Sequence, residues 1–173
     1  MSLRTPSVRV LSAVAVSVVA ALALSGCAGG EASTTPVPEA AAFHSTDAWV
    51  KAAPADEMTA AFGELVNDGD SDITVVSATS PAASMIELHE TVQNESGQSV
   101  MREVEGGFTI PAHSTRELTP GADHLMIMGA TAPLLAGEEI AITLTFSDDS
   151  TAEITAPVKE FAGANETYEG GDQ

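Results

Sequence analysis

The chain has 173 residues, of which 25 are acidic and 6 are basic, and its formal net charge at pH 7 is −19. A surface this acidic repels phosphate backbones, so the composition excludes nucleic acid as a partner. The single cysteine, Cys27, excludes an intramolecular disulfide, and it leaves four histidines and six methionines as the scarce side chains with chemistry to offer.

The N-terminal segment has the features of a bacterial export signal. Arg4 and Arg9 give it a positive start, and residues 10–24 are apolar and uncharged but too short for a comfortable transmembrane helix. Residues 24–27, Leu-Ser-Gly-Cys, resemble a lipobox, in which an acylated cysteine becomes the mature N-terminus. We predict a lipoprotein signal peptide over 1–26, lipidation of Cys27, and attachment to the extracytoplasmic face of the cell membrane by the lipid anchor only.

Composition divides the rest of the chain into three parts. Residues 27–42 are rich in Ala, Gly, Thr, Pro and Glu without periodicity, which predicts a flexible tether behind the lipidated cysteine. Residues 43–160 have the size of one domain. Residues 161–173 are rich in glycine and acidic residues, which predicts an acidic, disordered tail.

The domain consists of short alternating segments separated by turn residues, for example at 67–70, 93–97 and 148–150. About eight to nine strands are predicted, and this spacing indicates an all-β Greek-key sandwich or barrel. Residues 56–65 are the best helix candidate because Asp56 could cap them, but Gly63 and the alternation favour a strand. The pattern alone leaves a cupredoxin-like and an immunoglobulin-like architecture open.

Motifs of the common enzyme classes are absent from the sequence. It contains no nucleophile elbow, no zinc-protease motif and no phosphate-binding glycine loop. An enzyme that uses two carboxylates stays open, but with so many acidic residues a pairing carries little information. We therefore predict a binding protein and not an enzyme.

The histidines and methionines cluster in the second half of the domain. His124 and Met126 alternate on one strand and so share a face, while His89 ends one segment and Met101 begins the next. A hairpin would bring Met101 back towards His89, and one antiparallel neighbour carrying His124 and Met126 would complete a site of two nitrogens and two sulfurs. Cu(I) is the soft ion that accepts both imidazole and thioether ligands.

The remaining histidines and methionines have simpler interpretations. Met85 and Met128 lie on apolar segments and are predicted to pack in the core. His44 and His113 lie near the tether and in a turn, and are predicted to be solvated. Glu90 is predicted as a solvated side chain at the mouth of the site.

Several stretches of the domain resemble the PCuAC-type periplasmic copper(I) chaperones. They are ELHE at 87–90, Met101, VEGG at 104–107, IPAHSTRELTPGADHLMIMG at 110–129 and TLTFSDDSTAEITAPV at 143–158. The resemblance covers residues 46–158. It departs from the family signature at Glu90, where the family has methionine, and by one extra residue between Met101 and His124.

The resemblance implies a cupredoxin-like fold and a function. It assigns His89, Met101, His124 and Met126 as Cu(I) ligands and implies a chaperone that delivers copper to the CuA centre of cytochrome c oxidase, alongside Sco-type proteins. The alternative is a metal-free lipoprotein β-sandwich that acts as an interaction domain. Its sign would be an exposed apolar patch, with the histidines and methionines far apart in the fold.

Overall fold

The computed structural model describes residues 37–163 and 167–168. The predicted signal peptide, Cys27, most of the predicted tether and much of the predicted tail lie outside the described residues. No helix within the described part is long and apolar enough to cross a membrane. That part contains one 3₁₀ turn, Glu39–Ala41, and eleven strands: β1 (Phe43–Lys51), β2 (Thr59–Asn67), β3 (Ile73–Thr79), β4 (Ala83–Gln93), β5 (Ser99–Glu103), β6 (Phe108–Ile110), β7 (Ser114–Leu118), β8 (His124–Ala130), β9 (Glu139–Phe146), β10 (Thr151–Lys159) and β11 (Thr167–Tyr168).

Seven strands close a barrel in the order β4-β8-β2-β1-β10-β9-β3, and β3 returns to β4 through the pair Ala78–Ile86. Strand β5 extends the sheet beyond β4, while β6 pairs with β3 and β7 with β2. This architecture confirms the predicted all-β class. It also confirms that the segment around Gly63 is a strand and not a helix.

The core fills the barrel and is built from alternate residues of each strand. Strand β9 shows the period of two, because Ile140, Ile142, Leu144 and Phe146 are buried and the residues between them are partly exposed. Each large apolar side chain removed from water contributes about 1.5–3 kcal/mol to stability. Burial of the inward-facing side chains therefore stabilises the barrel.

The last residues of the predicted tether are attached to the domain. The carboxylate of Glu39 accepts hydrogen bonds from the Thr74 amide (2.8 Å) and the Ser147 hydroxyl (2.5 Å), and the Glu39 amide donates to Asp148 (2.8 Å). Asp148 also accepts a bond from the Ser150 hydroxyl, and these hydrogen bonds, Ser150 first, lower the pKa of the Asp148 carboxyl.

The described part of the predicted tail also contacts the domain. The Phe161 ring lies 5.3 Å from the Trp49 ring, and Lys51 Nζ donates to the Gly163 carbonyl at 2.5 Å. Strand β11 pairs in parallel with β5 next to Met101. Residues 161–163 and 167–168 are thus part of the folded unit.

Candidate metal centre

A hairpin and one strand pairing bring the four predicted ligands onto neighbouring strands. The turn between β4 and β5 closes because the side chain of Asn94 accepts hydrogen bonds from the amides of Ser96 and Gln98, both at 3.0 Å. Gly97 adopts a φ of 75°, a left-handed conformation that suits glycine. The sequence predicted both this hairpin and an antiparallel neighbour for β4, and the structure contains both.

The register places the predicted ligands on one side of the sheet. His89 of β4 lies directly opposite His124 of β8, and Glu87 lies opposite Met126. Met101 of β5 lies opposite Thr91, two residues beyond His89, so it projects on the same side. We call this side of β4, β8 and β2 the outer face, because the alternate residues between these positions form the barrel core.

The two imidazoles lie deep in the fold, with exposed fractions of 0% for His89 and 2% for His124, and their ring centroids are 5.6 Å apart. His124 Nδ1 lies 2.9 Å from the Ala122 carbonyl oxygen, which can only accept, so Nδ1 carries the proton and the neutral ring has its lone pair on Nε2. His89 Nε2 lies 2.8 Å from the Glu87 carboxylate, which places the lone pair of neutral His89 on Nδ1.

A cleft of about 280 Å³ opens on the outer face. Met101, His124 and Met126 line it, whereas His89, the neighbour of His124, does not. Phe62 forms part of the wall, with its ring centroid 6.2 Å from that of His124. The other lining residues are Lys51, Ala52, Ala53, Pro54, Glu57, Met58, Thr59, Ala60 and Gly121.

Two features of this site were not predicted from the sequence. The hydrogen bond between Glu87 and His89 joins residues two apart on one strand, and that spacing was the available signal. Met58 lines the cleft, but only the pairing of β2 with β8 brings it there. Asp123, the sequence neighbour of His124, forms an ion pair with Arg116 at 2.6 Å.

The prediction that Met85 and Met128 pack in the core is wrong. They lie directly opposite each other in the β4–β8 ladder, on the outer face, and Met85 is 50% exposed while Met128 is half-buried. The neighbouring positions Ile86 and Ile127 belong to the core instead. The cause is the strand period, since both faces of β8 are apolar in sequence and only the fold shows which one is inside.

The other predicted positions lie away from the cleft. Glu90 points to the opposite side of β4 from His89 and forms an ion pair with Arg102 at 2.7 Å. His44 and His113 are exposed, as predicted, and each contacts an aspartate, Asp68 and Asp70 respectively. No group of three or more His, Cys, Asp or Glu side chains that could hold a metal ion occurs among the described residues. A metal site on the outer face would therefore need methionine sulfur.

Comparison with known proteins gives consistent matches. The family model described as "Putative lipoprotein LpqE-like" matches residues 44–158. "Putative lipoprotein Lxx21020" of Leifsonia xyli subsp. xyli is 48% identical over 168 residues, which are 96% of this chain and 99% of that protein.

Solved structures match the same domain. The Cu(I) form of DR1885 from Deinococcus radiodurans is 31% identical, with a TM-score of 0.54 over 80% of this chain and 89% of that one. The apo PCuAC domain of PmoF1 is 18% identical, with a TM-score of 0.58 over 73% of this chain and 98% of that one, and it shows the shared cupredoxin-like fold. The chain therefore belongs to the LpqE-like family, and its barrel is a PCuAC-type domain, as the sequence resemblance predicted.

Proposed function

We propose that this protein is an extracytoplasmic, lipid-anchored copper chaperone that binds Cu(I) through His89, Met101, His124 and Met126. The observation that carries the proposal is the buried cross-strand pair His89–His124, with Met126 and Met101 on the same outer face. The alternative of a metal-free interaction domain expected these side chains to lie far apart.

The donor set suits Cu(I) better than harder ions. Two imidazoles and two thioethers are neutral, so they hold a soft monovalent ion without burying additional negative charge. The described residues contain no cysteine, so the proposed donor set includes no thiolate. Ligands of this kind favour exchange of the ion, which a carrier requires.

The relatives support copper as the bound metal and a lipid anchor. The relative from Deinococcus radiodurans, 31% identical, is described in its Cu(I) form. A PCuAC domain of PmoF2 that shares the fold at 16% identity is described as copper-bound. The relative from Leifsonia xyli is named a lipoprotein.

Titration of the full chain with Cu(I) under reducing conditions, in competition with a chromogenic chelator, tests the site. We expect the chain to bind one equivalent of Cu(I) with high affinity. Met101→Leu and Met126→Leu remove sulfur at nearly constant volume. Each should lower the affinity for that Cu(I) ion by at least the roughly 10–100-fold that is typically lost when a residue that only orients a metal ligand is changed. Met85→Leu is the matched control and should leave it unchanged. Wild-type affinity in both ligand variants would show that the assignment is wrong.

The proposal extends to the anchor and to delivery. Labelling cells with a fatty-acid analogue should mark the wild type but not Cys27→Ser, and an equally labelled variant would exclude lipidation at this residue. Purified Cu(I)-loaded protein should transfer its metal to a CuA domain of cytochrome c oxidase or to a Sco-type protein. Retention of all the metal in the presence of excess acceptor would contradict that delivery.

A further inference from the structure

Three methionines form a second group on the outer face, farther along the strands than the histidine pair. Met85 and Met128 lie directly opposite each other in the β4–β8 ladder. Met58 immediately precedes β2, the neighbour of β8 on its other side. We call Met85, Met128 and Met58 the methionine row, because they cross three adjacent strands at one level.

The backbone hydrogen bonds fix the level of Met58. Thr59 pairs with Ile127, and the Asp56 amide and Glu57 carbonyl bind Ala130 at 2.8 and 3.3 Å. Between these two links, Met58 on one strand faces Met128 and Gly129 on the other. Met58 lines the cleft together with Met126, and its place next to Thr59, opposite Met128, puts it on the outer face.

The spacing allows three sulfurs to meet at one ion. Adjacent strands are about 4.8 Å apart, so the row spans about 10 Å from end to end. A methionine side chain has three rotatable bonds and adapts readily, so the two outer sulfurs can swing towards Met128. Met126 is two residues from Met128 along β8, which corresponds to about 6.8 Å.

The row is open to solvent, unlike the inner ligands. Met58 and Met85 are 51% and 50% exposed, and Met128 is half-buried. An apolar core role does not account for these positions, because the core cluster contains the neighbouring Ile86 and Ile127 and none of the three methionines. What the three side chains share is an accessible thioether.

We propose that the methionine row is a second Cu(I) site, made of three thioether sulfurs, weaker than the inner site and open to solvent. Three neutral thioethers suit a soft monovalent ion and offer little to harder ions such as Zn²⁺ or Mg²⁺. Through this row the ion enters and leaves the buried ligands. That role in transfer rests on the proposed function, whereas binding by the row does not.

Cu(I) titration of the full chain with a weak competing chelator, followed by NMR of ¹³C-methyl-labelled methionine, tests the proposal. We expect two equivalents of different affinity in the wild type. The second should shift the methyl signals of Met58, Met85 and Met128, assigned by single leucine variants. The double variant Met85→Leu, Met128→Leu, which leaves the cleft-lining Met58 in place, should keep the first equivalent and lose the second.

The matched control is the double variant Met101→Leu, Met126→Leu, which should lose the first equivalent and keep the second. A wild type that binds a single equivalent, or a Met85→Leu, Met128→Leu variant that still binds two, would overturn the second site. Loss of both equivalents in the double variant Met85→Leu, Met128→Leu would also overturn it, because these methionines would then serve one site with the inner ligands. Failure of the proposed function looks different, since the wild type would then lack the tight equivalent whether or not the row binds.

Discussion

Strand β8 presents two faces that are almost equally buried and differ in what they contact. Leu125 and Ile127 point into the barrel and belong to its core. His124 and Met126 are also buried, but they point to the outer face and line the cleft. Low exposure therefore does not separate a packing residue from a candidate ligand in this fold. The side of the sheet does.

On the outer face, the solvent exposure of the side chains increases along the strands away from the histidine pair. The pair His89–His124 is fully enclosed, Met126 beside it is buried, and the next level, Met85 and Met128, is open to solvent. The inner face has no such gradient at these levels, since Ile86, Leu88, Leu125 and Ile127 are all buried. A gradient from exposed sulfur to buried nitrogen suits the movement of an ion, whereas uniform burial suits stability.

The largest effect that distinguishes the two faces is expected on stability. Ile127→Ala should lower the free energy of unfolding by about 2–5 kcal/mol, because it leaves a cavity in the barrel core. Met126→Leu, on the outer face of the same strand, should cost less than about 1.5 kcal/mol. Urea unfolding followed by Trp49 fluorescence measures both. Equal losses in the two variants would mean that the outer face contributes to the core as much as the inner face does.

The sequence was sufficient for most of the strands, although it missed the short strands β6 and β11, and for one critical contact. Turn residues at 93–97 predicted the β4–β5 hairpin, and the resemblance predicted that His89 and His124 belong to one site. The direction of the β8 faces was not predictable, because beyond His124 both sides of the run HLMIM are apolar, with methionines on one side and Leu125 and Ile127 on the other. For that reason Met85 and Met128 were wrongly assigned to the core.

Contacts between segments that are far apart along the chain could not be predicted from the sequence either. Met58 is remote from Met126 along the chain, and the two share a cleft only because β2 pairs with β8. The hydrogen bond between Glu87 and His89 is local, but it forms because both side chains lie on the outer face of β4. Strand periodicity predicts which residues share a face and leaves open what covers that face.

The second effect, in order of size, concerns Glu87, which we expect to position His89. Glu87→Leu removes the acceptor 2.8 Å from His89 Nε2 and should lower the affinity for the tight Cu(I) by about 10–100-fold. Glu87→Gln keeps an acceptor oxygen and should lose less. Chelator competition measures the affinities.

A merely structural role for Glu87 would give a different result. Ring ¹⁵N shifts of His89 should show one tautomer in the wild type and in Glu87→Gln, and a mixture in Glu87→Leu. Reduced affinity in Glu87→Leu with an unchanged tautomer would mean that the carboxylate acts through packing and does not orient the ring.

The smallest expected effect is a difference between the inner site and the methionine row in how their Cu(I) affinity depends on pH. Imidazole binds a metal ion only when neutral, and histidine changes charge between about pH 5 and 8, so protons compete with Cu(I) at the inner site as pH falls. Thioethers carry no titrating proton. The affinity of the first equivalent should fall as the pH is lowered, while that of the second should stay level. A parallel fall in both equivalents would place histidine in both sites, and two flat profiles would remove histidine from the inner one.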